Sequence, residues 1–434
     1  MRKSSDERAD VAVVGGGVAG LAAARELARH GLGVVVIESA SDCGTGASGA
    51  AAGMLAPQSE AESADELFEL LCASRDLYPA FAVALHEETG IDIELERTGT
   101  LYLSLTEEDE REAERRFDWQ SRAGLEVERL TAVEARALEP QISPRVRSAL
   151  RFPRDWQVEN RRLVRSLAAS AEGYGARVLK SAKAFGVRVG VGGRAEGVET
   201  SEGTVGAGAV VIAAGAWSSQ LRMLSAGCDD GEAGAELSER DTALADDPQV
   251  EPVRGQLLCF RRHDSQTQHG SQNQTGPQTQ RGSQIQHDSQ TPFVRHVVYS
   301  PRGYIVPRRD GRLLAGATTE RVGFDCRVTA EATGSIRAHA EEIAPAVASL
   351  TLTDAWAGLR PSAADALPVI GESSEVENLF YATGYYRNGI LLAPATGEII
   401  AALVAGGATA WPPRVLKAFA PARFRRALAG SHAK

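Results

Sequence analysis

Behind a charged and polar opening, Met1 to Asp10, the chain places four apolar residues in unbroken succession, Val11 to Val14. A short run without alternation reads as a parallel strand buried on both faces. Glycines follow at once, and Val18 to His30 then sets Leu21, Ala24, Leu27 and Ala28 on one helical face, with Gly31 as a C-terminal cap. Gly33-Val-Val-Val-Ile37 is a second buried strand. Strand, glycine turn, helix and strand make a βαβ unit of about thirty residues.

The same periodicities return twice. Arg161 to Gly173 predicts a helix, the segments around Val178 and Phe185 predict strands, a Gly192-Gly193 turn leads to another strand, and Ala209 to Gly215 is again a buried run. Near the C-terminus, Leu379 to Thr383 predicts a strand, followed by a glycine-punctuated loop and a helix from Ile390 to Val404. The expected fold class is α/β and α+β. A Rossmann-type domain is assembled from residues 1–85, 149–224 and 351–434, and residues 86–148 and 225–350 form a mixed-sheet substrate domain.

Two tracts break the pattern. Residues 228–249 hold eight acidic side chains against one arginine, and 263–292 is dominated by Gln, Ser, Thr and Gly, with His-Asp-Ser-Gln-Thr starting at both His263 and His287. Neither composition can bury enough apolar area to offset chain entropy, so both are expected to be disordered insertions. Predicted strands at Gly255 to Phe260 and Val294 to Tyr299 flank the second tract, which suggests an expanded hairpin tip. Its three histidines are too irregularly spaced to suggest a metal site.

At 434 residues the chain exceeds one ordinary core, and its 43% hydrophobic and 24% charged content is globular. No apolar stretch is long enough for a membrane helix, and no secretory h-region precedes the first strand, so a cytoplasmic protein is expected. The net charge of -10 argues against nucleic-acid or membrane partners. The five cysteines, Cys43, Cys72, Cys228, Cys259 and Cys326, form no metal or redox spacing.

Gly15-Gly16-Gly17-Val18-Ala19-Gly20 satisfies G-x-G-x-x-G. Gly15 makes the tight turn, Gly17 lets backbone approach a pyrophosphate, and Gly20 permits close helix packing. Glu38 ends the next strand, where a carboxylate accepts from ribose hydroxyls and repels a 2′-phosphate. NADP is therefore the least favoured dinucleotide. Thr45 to Met54 is a run of small residues that lets backbone pass close to a bulky group, and Gly384 to Pro394 adds a second glycine loop opening a helix. The positive end of that helix suits negative charge on a reduced flavin.

These features, with Ala47 to Pro57, Trp356-Ala-Gly-Leu-Arg-Pro361 and Tyr386-Arg-Asn-Gly-Ile-Leu-Leu-Ala-Pro394, resemble the D-amino-acid-oxidase-like flavoproteins, and within them the glycine oxidase branch of thiamine biosynthesis. The resemblance runs from about Ala9 to Val404. It implies FAD contacts at Gly15, Gly17, Val18, Ala19, Gly20, Glu38, Ser39, Ala47, Ser48, Ala52, Gly53 and Met54. It also implies contacts at Ala184 and along the loop Tyr385, Tyr386, Arg387, Asn388, Gly389, Ile390 and Leu391. Covalent members carry a cysteine at the segment equivalent to Gly358 to Ser362; this chain has none there, so FAD is expected to be non-covalent.

For the substrate, the resemblance implies that Arg360 holds a carboxylate, that Tyr304 lines the cavity, and that Arg387 adds a second basic group. A guanidinium suits this task because it donates two parallel hydrogen bonds. The implied chemistry is hydride transfer from a small amino acid or amine to flavin N5 with no dedicated side-chain base. Oxygen then reoxidises the flavin to give hydrogen peroxide, while the imino acid hydrolyses to an oxo acid and ammonia. A dehydrogenase that feeds a quinone and a non-catalytic flavin-binding protein are the alternatives, and a homo-oligomer is left open.

Overall fold

The computed structural model describes residues 7–225, 238–239, 247–263, 292–407 and 409–425. Strand β1 (Glu7–Val14) lies between β2 (Val34–Ile37) and the strand Gly203–Ile212, parallel to both. Val11 to Val14 are buried, which is why the run carries no polar alternation. Helix α1 (Val18–Arg29) follows and buries its small residues against helices Asn160–Gly173 and Ala393–Val404.

These strands belong to a ten-stranded sheet in which Gly203–Ile212 is the hinge of the topology. It pairs antiparallel with Ala195–Thr200 through its first half and parallel with Leu379–Thr383 through its last residues. The Gly192-Gly193 turn joins Ala184–Val189 to Ala195–Thr200 as expected. Arg177–Leu179 continues the sheet beyond β2.

The second sheet has eight strands in the order Thr351–Ser362, Glu251–Arg261, Leu313–Gly316, Gly303–Pro307, Val297–Ser300, Thr100–Ser104, Ser148–Phe152, Glu128–Thr131. Its two faces do different work. Leu258 and Phe260 join Ile305, Ile336 and Ile343 under helix Ala330–Ile343, whereas Leu257 and Cys259 turn the other way, towards Ala52, Val306 and Tyr304. The two-residue period of a strand thus sends alternate side chains to the core and to the junction with the first sheet.

Two expectations change here. Ser148–Phe152 and Thr351–Ser362 pair in the second sheet, although the segments 149–224 and 351–434 were assigned to the nucleotide-binding domain. Strand patterning reports burial and not the identity of the paired strand. The hairpin expected around 263–292 is also absent: Glu251–Arg261 and Val297–Ser300 are separated by two strands, Leu313–Gly316 and Gly303–Pro307. Buried strands with a gap between them fit a crossover as well as a hairpin. Of the two tracts, all but 238–239, 247–249, 263 and 292 lie outside the described residues. No helix among the described residues is long and apolar enough to cross a membrane.

Candidate active site

A cavity of about 1200 Å³ runs from the N-terminus of α1 to the face of the second sheet. At its nucleotide end, Gly15 adopts φ +114°, and a Cβ there would lie 2.3 Å from the Ala213 carbonyl oxygen. Only glycine permits this turn. Gly17 caps α1 without a side-chain hydrogen bond, and the first turn of the helix carries no acidic residue. The positive end of the helix therefore opens on the cavity with no carboxylate of its own to quench it, as a pyrophosphate requires. Glu38 is fixed by its own surroundings: one carboxylate oxygen accepts from Gly16 N–H at 2.8 Å and the other from Ala40 N–H at 2.7 Å. Ser48 accepts from Val18 N–H at 3.0 Å, which ties the small-residue segment to the start of α1.

That segment is clamped from below by Arg308. Its buried guanidinium donates to the carbonyls of Ala52 at 2.6 Å and Val158 at 3.0 Å, and to Gln157 Oε1 at 3.1 Å. Burial pulls Arg308 down to about 10, so it remains charged at neutral pH. From the other side, Ser74 donates to the Leu391 carbonyl at 2.8 Å and Tyr78 donates to that of Ile390. Tyr386 N–H donates to the Pro361 carbonyl at 2.6 Å. The loop 384–392 is thereby locked to the strand that carries Arg360.

At the substrate end, Arg360 rises from Thr351–Ser362 and lies across Gly255, where any Cβ would sit 2.2 Å from Arg360 Nη2. Arg360 Nη1 donates to the Thr318 carbonyl at 2.9 Å. Tyr304 stacks on Tyr299, and Tyr299 on Tyr102, with centroids 5.8 and 5.9 Å apart. Burial pushes the Tyr304 phenol up to about 12 against the opposing pull of Arg360, so it is a neutral donor. Arg387 donates weakly to Thr319 and Tyr386, at 3.3 and 3.4 Å. Glu60, at the end of the short helix Pro57–Glu60, also lines this end. Burial raises its carboxyl above the usual range, opposed by Arg387 and Arg360.

All but one of the residues anticipated from sequence line this one cavity: Gly15, Gly17, Val18, Ala19, Glu38, Ser39, Ala47, Ser48, Ala52, Gly53, Met54, Ala184, Tyr304, Arg360 and the loop Tyr385 to Leu391. Gly20 is the exception. It sits behind the cavity, where a Cβ would be 2.0 Å from the Gly15 carbonyl oxygen, so its part is the close packing of α1 and not ligand contact.

A profile of the FAD dependent oxidoreductase family matches residues 10–403. The chain belongs to the FAD-dependent oxidoreductase family. A glycine oxidase of Geobacillus kaustophilus (strain HTA426) is 35% identical over 93% of this chain and 95% of its own length. A crystal structure of glycine oxidase from Geobacillus kaustophilus superposes with TM-score 0.79, 34% identity, and coverage of 95% of this chain and 98% of that one. A bifunctional ThiO/ThiG protein of Synechocystis is 29% identical over 96% of this chain, which spans 54% of that protein.

The protein is thus an FAD-dependent enzyme, and its cavity suits the cofactor: a helix N-terminus with no acidic residue in its first turn, a carboxylate twenty-two residues beyond Gly16, and a floor of small side chains. Sequence reasoning missed other lining residues, among them Glu60, Tyr299, Trp217 and Cys326. Trp217 lies in the short 3-10 turn Gly215–Gln220 just beyond the strand Gly203–Ile212, a position that the buried run ending at Gly215 in the sequence could have flagged. Cys326 arrives on a loop that Arg254 holds through its ion pairs with Glu320 and Asp325, and nothing local in sequence announces it. Its thiol is raised, chiefly by burial, and it stays protonated.

Proposed function

We propose that this enzyme is an oxidase of glycine or another small amino acid, with non-covalent FAD, acting in the cytoplasm on the route to the thiazole of thiamine. The observation that carries this reading is the meeting of Arg360, Tyr304 and Arg387 at one end of a dinucleotide-sized cavity. Glycine oxidases and the ThiO/ThiG protein among its relatives support the substrate and the route. FAD, when bound, accepts two electrons from the amine substrate and passes them to molecular oxygen, giving hydrogen peroxide.

The chain's own residues do the rest. The first turn of α1, Glu38, Ser39 and Ser48 would hold the dinucleotide, while Ala52 to Met54 and Tyr385 to Leu391 would enclose its ring system. Arg360 would grip the substrate carboxylate through its planar fork and so aim the Cα–H bond, which is the dominant demand when no side chain attacks the substrate. Tyr304 would donate a neutral hydrogen bond, and Arg387 would add positive charge beside the reduced cofactor. With the cofactor and substrate in place, the walls would limit the access of bulk water to that charge.

The test is anaerobic bleaching of the yellow protein by glycine, sarcosine, D-alanine and a bulky D-amino acid, followed by admission of air. Rapid bleaching by glycine and recolouring with peroxide formation are expected. Bleaching by the bulky substrate alone would move the enzyme to another amine, and recolouring only with a quinone would make it a dehydrogenase.

A further inference from the structure

We infer that Glu60 is the group that receives the substrate's ammonium and takes its proton, so that the amine stands neutral when its Cα–H bond is broken. The inference rests on the reading of the cavity as an amino-acid site. Glu60 lines the substrate end, yet among the described residues its carboxylate has no hydrogen bond and no ion pair. Glu60 is only partly exposed, and its carboxylate opens on the cavity without a protein donor, so a ligand that supplies one would meet an unoccupied acceptor.

Its backbone is nevertheless pinned on both sides. Asp155 accepts from Gln58 N–H at 3.1 Å and Ser59 N–H at 2.7 Å, and Arg116 Nη1 donates to the carbonyls of Ser59 at 3.0 Å and Ala61 at 2.7 Å. Arg387, Arg360 and Arg116 act on it electrostatically, and it acts in turn on Tyr299 and Tyr304. None of these can give up a proton to it at neutral pH, since three are arginines and both phenols are raised by burial. What the cluster lacks is a titratable cation, and a zwitterionic amino acid carries one on the atom next to Cα. With its carboxylate on Arg360, the ammonium faces Glu60. One N–H bond breaks, one carboxyl O–H bond forms, and the lone pair left on nitrogen supports departure of hydride from Cα.

The test compares Glu60→Gln and Glu60→Asp with wild type, each with its full complement of FAD. Anaerobic reduction by glycine is followed from pH 6 to 10, and glycolate, which has the carboxylate without the amine, is titrated by its effect on the flavin spectrum. In Glu60→Gln, reduction at pH 7 is expected to slow roughly 10- to 100-fold. It should keep rising with pH as free neutral amine accumulates, while glycolate binds as in wild type or tighter. Glu60→Asp should recover part of the loss. Unchanged reduction by glycine, or an equal loss for glycine and glycolate, would overturn the inference. Wild type that glycine does not bleach would instead overturn the amino-acid reading itself.

Discussion

Arg360 spends one nitrogen on the Thr318 carbonyl and meets no acidic partner within ion-pairing distance among the described residues. Its remaining donors are free for a planar acceptor, so its removal should be felt in substrate binding and not in cofactor binding. Arg360→Ala is expected to raise KM for glycine by a factor equivalent to roughly 2 to 5 kcal/mol, the cost of severing a buried charge pair. Arg360→Lys should recover only part, because an ammonium keeps the charge without the fork. Tyr304→Phe should cost about 0.5 to 1.5 kcal/mol, one neutral hydrogen bond. Steady-state peroxide production with glycine checks all three, and an Arg360→Ala enzyme with wild-type KM would remove the carboxylate assignment. A second expectation concerns attachment. Cys326 lines the cavity but is a protonated thiol, so acid or heat should release FAD into the supernatant. Flavin that stays with the precipitated chain would point to a covalent link.

The short helix Pro57–Glu60 depends on Asp155, a fully buried carboxyl that burial pushes up to about 7 although it accepts two backbone N–H groups. A carboxyl with a folded pKa above its unfolded value binds more protons in the folded state between the two, so stability falls as pH rises from about 4 to about 7. Asp155→Asn should therefore flatten the fall in Tm between pH 5 and 8 relative to wild type, which differential scanning calorimetry would measure. An unchanged difference between the two pH values would mean that Asp155 does not titrate there. At this scale the sequence was informative where a signal is local. The run Val11 to Val14, the glycine turn and α1 read directly, because strand burial, positive φ and helical period each mark neighbouring residues. The helix that presents Glu60 did not read at all. It is held by Asp155 and Arg116, some 55 to 97 positions away in the chain, and no pattern at Pro57 to Glu60 encodes partners so distant.

On the scale of the molecule, the cavity exists because two sheets meet, and the strand Thr351–Ser362 belongs to one while its last residues, Pro361 and Ser362, bond to Tyr386 and Tyr385 in the loop that leaves the other. That junction was legible only through long motifs at both ends of the chain, since strand pairing between distant segments leaves no periodic trace. The same limit explains the hairpin that was expected across 263–292. Because Glu251–Arg261 and Val297–Ser300 are separated by two strands, with every step antiparallel, the connection leaves and re-enters at the same end of the sheet. It must cross three inter-strand spacings, roughly 14 Å. A two-residue turn cannot do this, but a linker of eight residues reaches about 26 Å when extended. The Gln, Ser, Thr and Gly composition of the tract offers little apolar area to either sheet, so its contribution should be its length alone. Replacing residues 264–291 by eight Gly and Ser residues should then leave FAD content and glycine turnover within about twofold of wild type. Closing the shorter loop costs less entropy by about 1 kcal/mol, so Tm should hold or rise slightly. Flavin content, peroxide production and calorimetry on the purified variant decide the matter: soluble protein that has lost its flavin or its turnover would show that the tract supports the site, and a Tm lowered by many degrees would show that it stabilises the second sheet.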